Sequence, residues 1–152
     1  MQAQDASLAL GAGAQEITIG GSTTVVAQIA DVRSLHAYSI SVAYDPAVLR
    51  CASVRVLRFL GSSSFYSSRV DSVAGIVHLE EAILGPTGKS GSGDLIEVTF
   101  SGKGAGSSAL LYSLIDLRDT LNNALPFQAT GGQLSVAIPV TVASDAVPVG
   151  SL

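Results

Sequence analysis

The stretch from Leu35 to Leu49, LHAYSISVAYDPAVL, limits what this chain can fold into more than any other. Tyr38, Ile40, Val42 and Tyr44 fall on one side of an extended chain, and Ala37, Ser39, Ser41 and Ala43 on the other. That period of two is the signature of a β-strand with one buried face. The inward residues are large and apolar. The outward ones are small and carry no charge. Pro46 ends the ladder because it has no amide N–H to donate. Asp45, placed before a proline, is held extended, so Asp45-Pro46 reads as a corner. Val48 and Leu49 then carry the chain back into a core.

The rest of the chain repeats this pattern in shorter pieces. Val25, Ala27 and Ile29 alternate with Thr24, Val26 and Gln28 inside a β-branched run from Thr23 to Val32. Further strands are expected near Ser7–Leu10, Gln15–Ile19, Leu49–Val56, Phe65–Val70, Gly75–Ile83, Asp94–Gly102, Ser108–Leu114 and Gln133–Ile138. Gly85 to Gly93, GPTGKSGSG, reads as a loop, and Ile115 to Phe127 as irregular. No long stretch has a helical period. Short strands at regular spacing with Gly-rich turns predict an all-β, antiparallel β-sandwich of jelly-roll type with about nine strands. Its core is expected from Val25, Ile29, Tyr38, Ile40, Val42, Leu49, Val77, Leu79, Val98, Phe100, Leu111 and Val136. The 152 residues fit one domain over 1–138, followed by a Pro- and Val-containing tail or linker over 139–152.

Composition removes several function classes. Charged residues make up only 13% of the chain, the net charge is −4, and no basic block is present. Nucleic-acid binding needs a concentrated positive surface, so none is expected. No apolar run reaches the ~18 residues that a membrane helix needs. The start, MQAQDAS, lacks a basic n-region and an apolar h-region, so no signal peptide is expected in it. The single cysteine, Cys51, can form no intramolecular disulfide and reads as a buried, inert thiol.

The chemistry-bearing patterns resolve into ordinary surface. Gly88-Lys89-Ser90 lacks the first glycine of a phosphate loop, which would fall on Ile83, and a strand rather than a helix follows. Ser62, Ser63 and Ser64 sit in no nucleophile elbow. His36 and His78 are the only histidines. His78 shares an outward face with Ile76 and Glu80, but no third ligand is spaced to complete a metal site. Under strict alternation Glu81 points inward, which is costly for a charge; a bulge would resolve this, so the facing after Leu79 stays open. Asp116, Asp119, Asn122 and Asn123 are rich in oxygen, yet fit no EF-hand spacing and suit turns. No catalytic residue, metal ligand or cofactor is assigned, and no enzyme activity is expected.

In order, these features resemble the cohesin domain: the Val25–Val32 strand, Tyr44-Asp45-Pro46 with Val48-Leu49, and Gly75-Ile76-Val77. The resemblance continues through Gly91-Ser92-Gly93 leading into Leu95–Phe100, then Lys103-Gly104-Ala105-Gly106, Ile115–Asp119 and Gly131–Val136. It spans about Ser7 to Ile138. It implies a nine-stranded jelly-roll sandwich that binds a dockerin-type protein module, whose own Ca²⁺ lies on the partner side. It implies docking on a flat face formed by the third, fifth, sixth and eighth strands. The partner-binding residues are then Ala37, Ser39, Ser41, Ala43, Ile76, His78 and Glu80. Many enzyme-scaffold members carry Asn and Asp where this chain has Ala37 and Ser39, so a partner relying on those groups would bind here more weakly. The resemblance also implies an extracellular or cell-surface setting. The alternative is a carbohydrate-binding sandwich taking a polysaccharide. The chain has no Trp and only four Tyr for stacking sugar rings, and Tyr66 and Tyr112 are its candidate platforms.

Overall fold

A computed structural model describes residues 5–139; the tail expected over 139–152 lies, from 140 on, outside the described residues. The strands are β1 (Ala6–Ala12), β2 (Glu16–Thr18), β3 (Ser22–Ala43), β4 (Leu49–Val56) and β5 (Phe65–Asp71). They continue with β6 (Ile76–Ala82), β7 (Lys89–Gly102), β8 (Gly106–Asp119), β9 (Phe127–Thr130) and β10 (Gly132–Ala137). The described chain is all β.

The two strands expected over Thr23–Val32 and Leu35–Tyr44 are one continuous strand, β3. Its first half pairs with β1 and β7, and its second half with β6 and β8. The strand therefore passes from one sheet of the sandwich to the other. The first sheet runs β9-β1-β3-β7-β4, and the second runs β5-β6-β3-β8-β10-β2. The crossover is marked by Asp31 and Ser34, both at positive φ, and by register shifts against β7. Ladder bonds are broken there, and orphaned amides need other partners. Asp31 N–H donates to Ser92 Oγ at 3.1 Å and Ser34 N–H to Ser90 Oγ at 2.9 Å. The serines of the expected loop thus stand in for a ladder, and β7 begins at Lys89 inside that segment. Gly88 passes so close to this kink that a Cβ would lie 2.7 Å from the Ser34 carbonyl carbon.

One core joins both sheets. Leu8, Ile29, Leu35, Ile40, Leu49, Leu79, Leu95, Phe100, Leu110, Leu117 and Leu134 are among its fully buried side chains. The expected core holds except for Leu111, which is 55% exposed while Leu110 is buried. The cause is a bulge in β8: Ser41 pairs with Leu114 but Val42 with Tyr112, leaving Ser113 as the extra residue. One inserted residue reverses the facing of everything beyond it. The sandwich is mainly antiparallel, with two short parallel pairs, β1 with β9 and β2 with β10. Ile115 to Asp119, expected to be irregular, continues β8.

The Asp45-Pro46 corner is fixed from several sides. Asp45 Oδ1 accepts from Ala47 N–H at 2.9 Å, and Asp45 O accepts from Val48 and Leu49 N–H at 3.1 and 2.9 Å. Asp45 N–H donates to Ser108 Oγ at 2.8 Å. The β5–β6 turn packs on this corner through Gly75, which has φ 76° and whose Cβ would lie 2.2 Å from Tyr44 O. Only glycine fits there.

Candidate functional site

The second sheet brings all seven expected residues onto one outward face. Registers across β5, β6, β3 and β8 set out four rows. The first is Phe65, Ala82, Ala37, Arg118. The second is Ser67, Glu80, Ser39, Asp116. The third is Arg69, His78, Ser41, Leu114, and the fourth is Asp71, Ile76, Ala43, Leu111. Residues directly opposite on paired strands share a face, so each row is a line of neighbours. The central strand contributes only Ala and Ser. Larger groups flank it: charged side chains towards one end, and Ile76, Leu111 and Leu114 towards the other. A groove of about 280 Å³ opens around Ala37, Ser39, Phe65, Glu80 and Asp116.

Ser41 and His78 lie in adjacent strands and meet at the centre. His78 Nδ1 is 2.7 Å from Ser41 Oγ, and its Nε2 is 2.9 Å from Glu80 Oε2. The carboxylate accepts, so in the neutral ring Nε2 carries the proton and Nδ1 accepts from the Ser41 hydroxyl. The sequence separation hid this link; only the β3–β6 register creates it. Serine, imidazole and carboxylate in a chain have the parts of a nucleophilic relay. Acyl transfer also needs donors for an oxyanion. Here Ser41 sits mid-ladder, opposite His78 of β6 on one side and Leu114 of β8 on the other. The relay orders the face.

Glu80 and Glu81, consecutive in sequence, have opposite fates. No bulge follows Leu79, and the β3–β6 and β5–β6 registers run unbroken. Glu81 therefore does point inward and is only 2% exposed. Its charge is accommodated by hydroxyls: Tyr38 OH donates to Oε1 at 2.8 Å and Ser64 Oγ to Oε2 at 2.5 Å. Burial, then the neighbouring Glu81 charge, push the Tyr38 phenol well above its ordinary range. Ser64 is held in turn by its loop, where Arg58 Nη2 donates to the carbonyls of Ser62 and Ser64 at 2.8 and 2.6 Å. The three serines that form no nucleophile elbow include one that seals a buried carboxylate.

Other candidates disperse. Asp116 pairs with Arg118 at 2.9 Å, and Asp119 Oδ1 accepts from Leu121 and Asn123 N–H to close the turn. Among the described residues no group of three His, Cys, Asp or Glu side chains is placed to hold a metal. His36 Nδ1–H donates to Thr87 O at 2.8 Å and ties down the turn before β7. Cys51 is half-buried, and burial pushes its thiol up, away from a reactive thiolate. Tyr112 OH donates to Ala9 O at 2.9 Å, and Arg58 stacks on the Tyr66 ring with its guanidinium carbon 5.0 Å from the centroid. Of the two candidate sugar platforms, Tyr112 is thus tied to the chain by its hydroxyl, and Tyr66 is stacked by Arg58 while staying 45% exposed. Among the described residues no helix is long and apolar enough to cross a membrane.

Known structures share this architecture. A non-cellulosomal cohesin from the archaeon Archaeoglobus fulgidus superposes with a TM-score of 0.74 at 20% identity, over 88% of this chain and 92% of that one. The cohesin of a type I cohesin–dockerin complex from Clostridium thermocellum gives 0.77 at 10% identity, over 91% and 98%. A type II cohesin domain from the cellulosome of Acetivibrio cellulolyticus gives 0.75 at 12%, over 86% and 95%. No family model and no curated protein matches the chain. The fold is that of cohesin modules, a jelly-roll β-sandwich.

Proposed function

We propose that this chain is a non-catalytic docking module that receives a dockerin-type protein on the outward face of β8-β3-β6-β5. One observation carries the reading. The central strand of that face offers only Ala37, Ser39, Ser41 and Ala43, so a partner backbone can approach closely between the larger groups at its two ends. Small residues in the middle with charged and apolar groups around them suit a helical partner surface better than a small ligand. Ile76, His78 and Glu80 complete the contact on β6. The Ca²⁺ of such a partner belongs to the partner's own loops, and this chain needs no cofactor. The setting is extracellular or at a cell surface.

Titration calorimetry against a panel of dockerin-type modules tests the reading. Binding of at least one module, weakened about a hundredfold by Ser39→Arg without loss of fold, is the expected result. No binding across the panel, together with retardation in gels containing soluble cellulose, xylan or chitin derivatives, would replace it with the polysaccharide alternative.

A further inference from the structure

The two sheets end in four edge strands, and three of them are protected. β2 has three residues and β9 four, too short to template a partner. β4 is longer, but its register breaks between Cys51 and Ser53, and it carries Arg50 and Arg55. Short length, bulges and charge are the usual defences of a free edge. β5 is long enough to template a partner and its register is unbroken, and its charges, Arg69 and Asp71, are confined to its second half. Its seven residues, FYSSRVD, are all exposed and pair without a break to β6, their only ladder partner among the described residues. Phe65, Tyr66 and Val70 are 64%, 45% and 39% exposed. Asp71, at its end, is turned into its own turn, accepting from Val73 and Ala74 N–H.

We infer that β5 is a second interaction surface, through which two copies of this chain pair edge to edge. The exposed edge offers a row of N–H and C=O groups that another extended chain can take up in place of water. β5 is also self-complementary. In an antiparallel pairing centred on Ser68, Tyr66 of each copy stands opposite Val70 of the other, an aromatic–β-branched pair of the favourable kind. Arg69 stands opposite Ser67 and Asp71 opposite Phe65, so no charge faces its like. The two-fold axis is perpendicular to the sheet, so the second sheets join into one and both candidate docking faces look the same way. One seven-residue edge lies below the ~1,200 Å² of stable interfaces, so the dimer is weak and forms only at high protein concentration. This inference stands apart from the docking proposal.

Sedimentation velocity across a concentration series, with single-cysteine cross-linking in a Cys51→Ser background, tests it. Ser68→Cys sits on the two-fold axis, within disulfide reach of its counterpart. It should link under mild oxidation, whereas Ser72→Cys in the exposed turn should not. Val70→Lys should shift the concentration needed for dimer at least tenfold upward, with an unchanged far-UV spectrum. Ser68→Lys should do the same if Val70→Lys perturbs folding. A monomer up to ~1 mM with Ser68→Cys unlinked overturns the inference. So does a dimer that survives both lysine variants, or one cross-linked by Ser72→Cys as readily as by Ser68→Cys.

Discussion

On the outward side of the first sheet, Val26 stands between Gly11 and Glu97, and Glu97 reaches Arg55 at 3.4 Å. Thr24 lies beside Thr99, and Gln28 beside Ala9. On the outward side of the second sheet, the same strand presents Ala37, Ser39, Ser41 and Ala43. Both halves of β3 alternate, and both faces lie over the same core. What differs is reach. The first face has β-branched and long side chains at its middle, with an ion pair across them, as a solvated sheet does. The second has its bulk at the ends and a low centre. Alternation says which side is buried; the size of the outward residues says which outer side another protein can approach.

The sharpest break of this comparison is a matched pair of substitutions. Ser39→Arg should weaken binding of a dockerin-type module about a hundredfold, roughly 3 kcal/mol, through clash and an unpaired desolvated charge. Val26→Arg, at the middle of the first sheet, should leave affinity within about twofold. Calorimetric titration of both variants reads the difference, and equal losses would erase the distinction between the faces.

A second contrast lies within β6. Glu81→Ala strands the buried hydroxyls of Tyr38 and Ser64 and should cost about 2–3 kcal/mol in urea unfolding. Glu80→Ala loses only a half-exposed contact to His78 and should cost under about 1 kcal/mol. The interior also shows in alkali. Burial pushes the Tyr38, Tyr44 and Tyr112 phenols upward. Above pH ~10 the unfolded chain sheds these protons while the folded chain keeps them, so stability falls as pH rises. Denaturant midpoints should be level from neutrality to about pH 9 and decline beyond it. The smallest effect belongs to the first sheet: Arg55→Ala removes an exposed ion pair and should change stability by about 0.5 kcal/mol or less.

Much of this was legible because strands encode facing residue by residue. Tyr38, Ile40, Val42 and Tyr44 read inward, and Ala37, Ser39, Ser41 and Ala43 outward, from period two alone. Ile76, His78 and Glu80 followed in the same way. Four things were not legible. The Ser41–His78 bond depends on strand register between distant segments. The start of β7 depends on serine hydroxyls replacing ladder bonds at a kink in another strand. Glu81 reads as an error until Tyr38 and Ser64 are seen around it. Leu111 was misplaced by the single extra residue at Ser113. Its signal was present, since Leu111 and Leu114 stand three apart, a spacing that keeps one face only across a bulge. The same bulge gives the site its apolar end, and register places Asp116 and Arg118 at the other; none of the four was assigned to the face from sequence.

The most direct test is amide chemical-shift mapping of the labelled chain on addition of a dockerin-type module that binds it. The account predicts perturbations concentrated in Ala37–Ala43, Ile76–Ala82 and Leu111–Arg118, with Thr24–Gln28 and Ser53–Arg55 unmoved. Perturbations centred on the first sheet, or on the loops around Gly61–Ser64 and Gly85–Gly88, would contradict it.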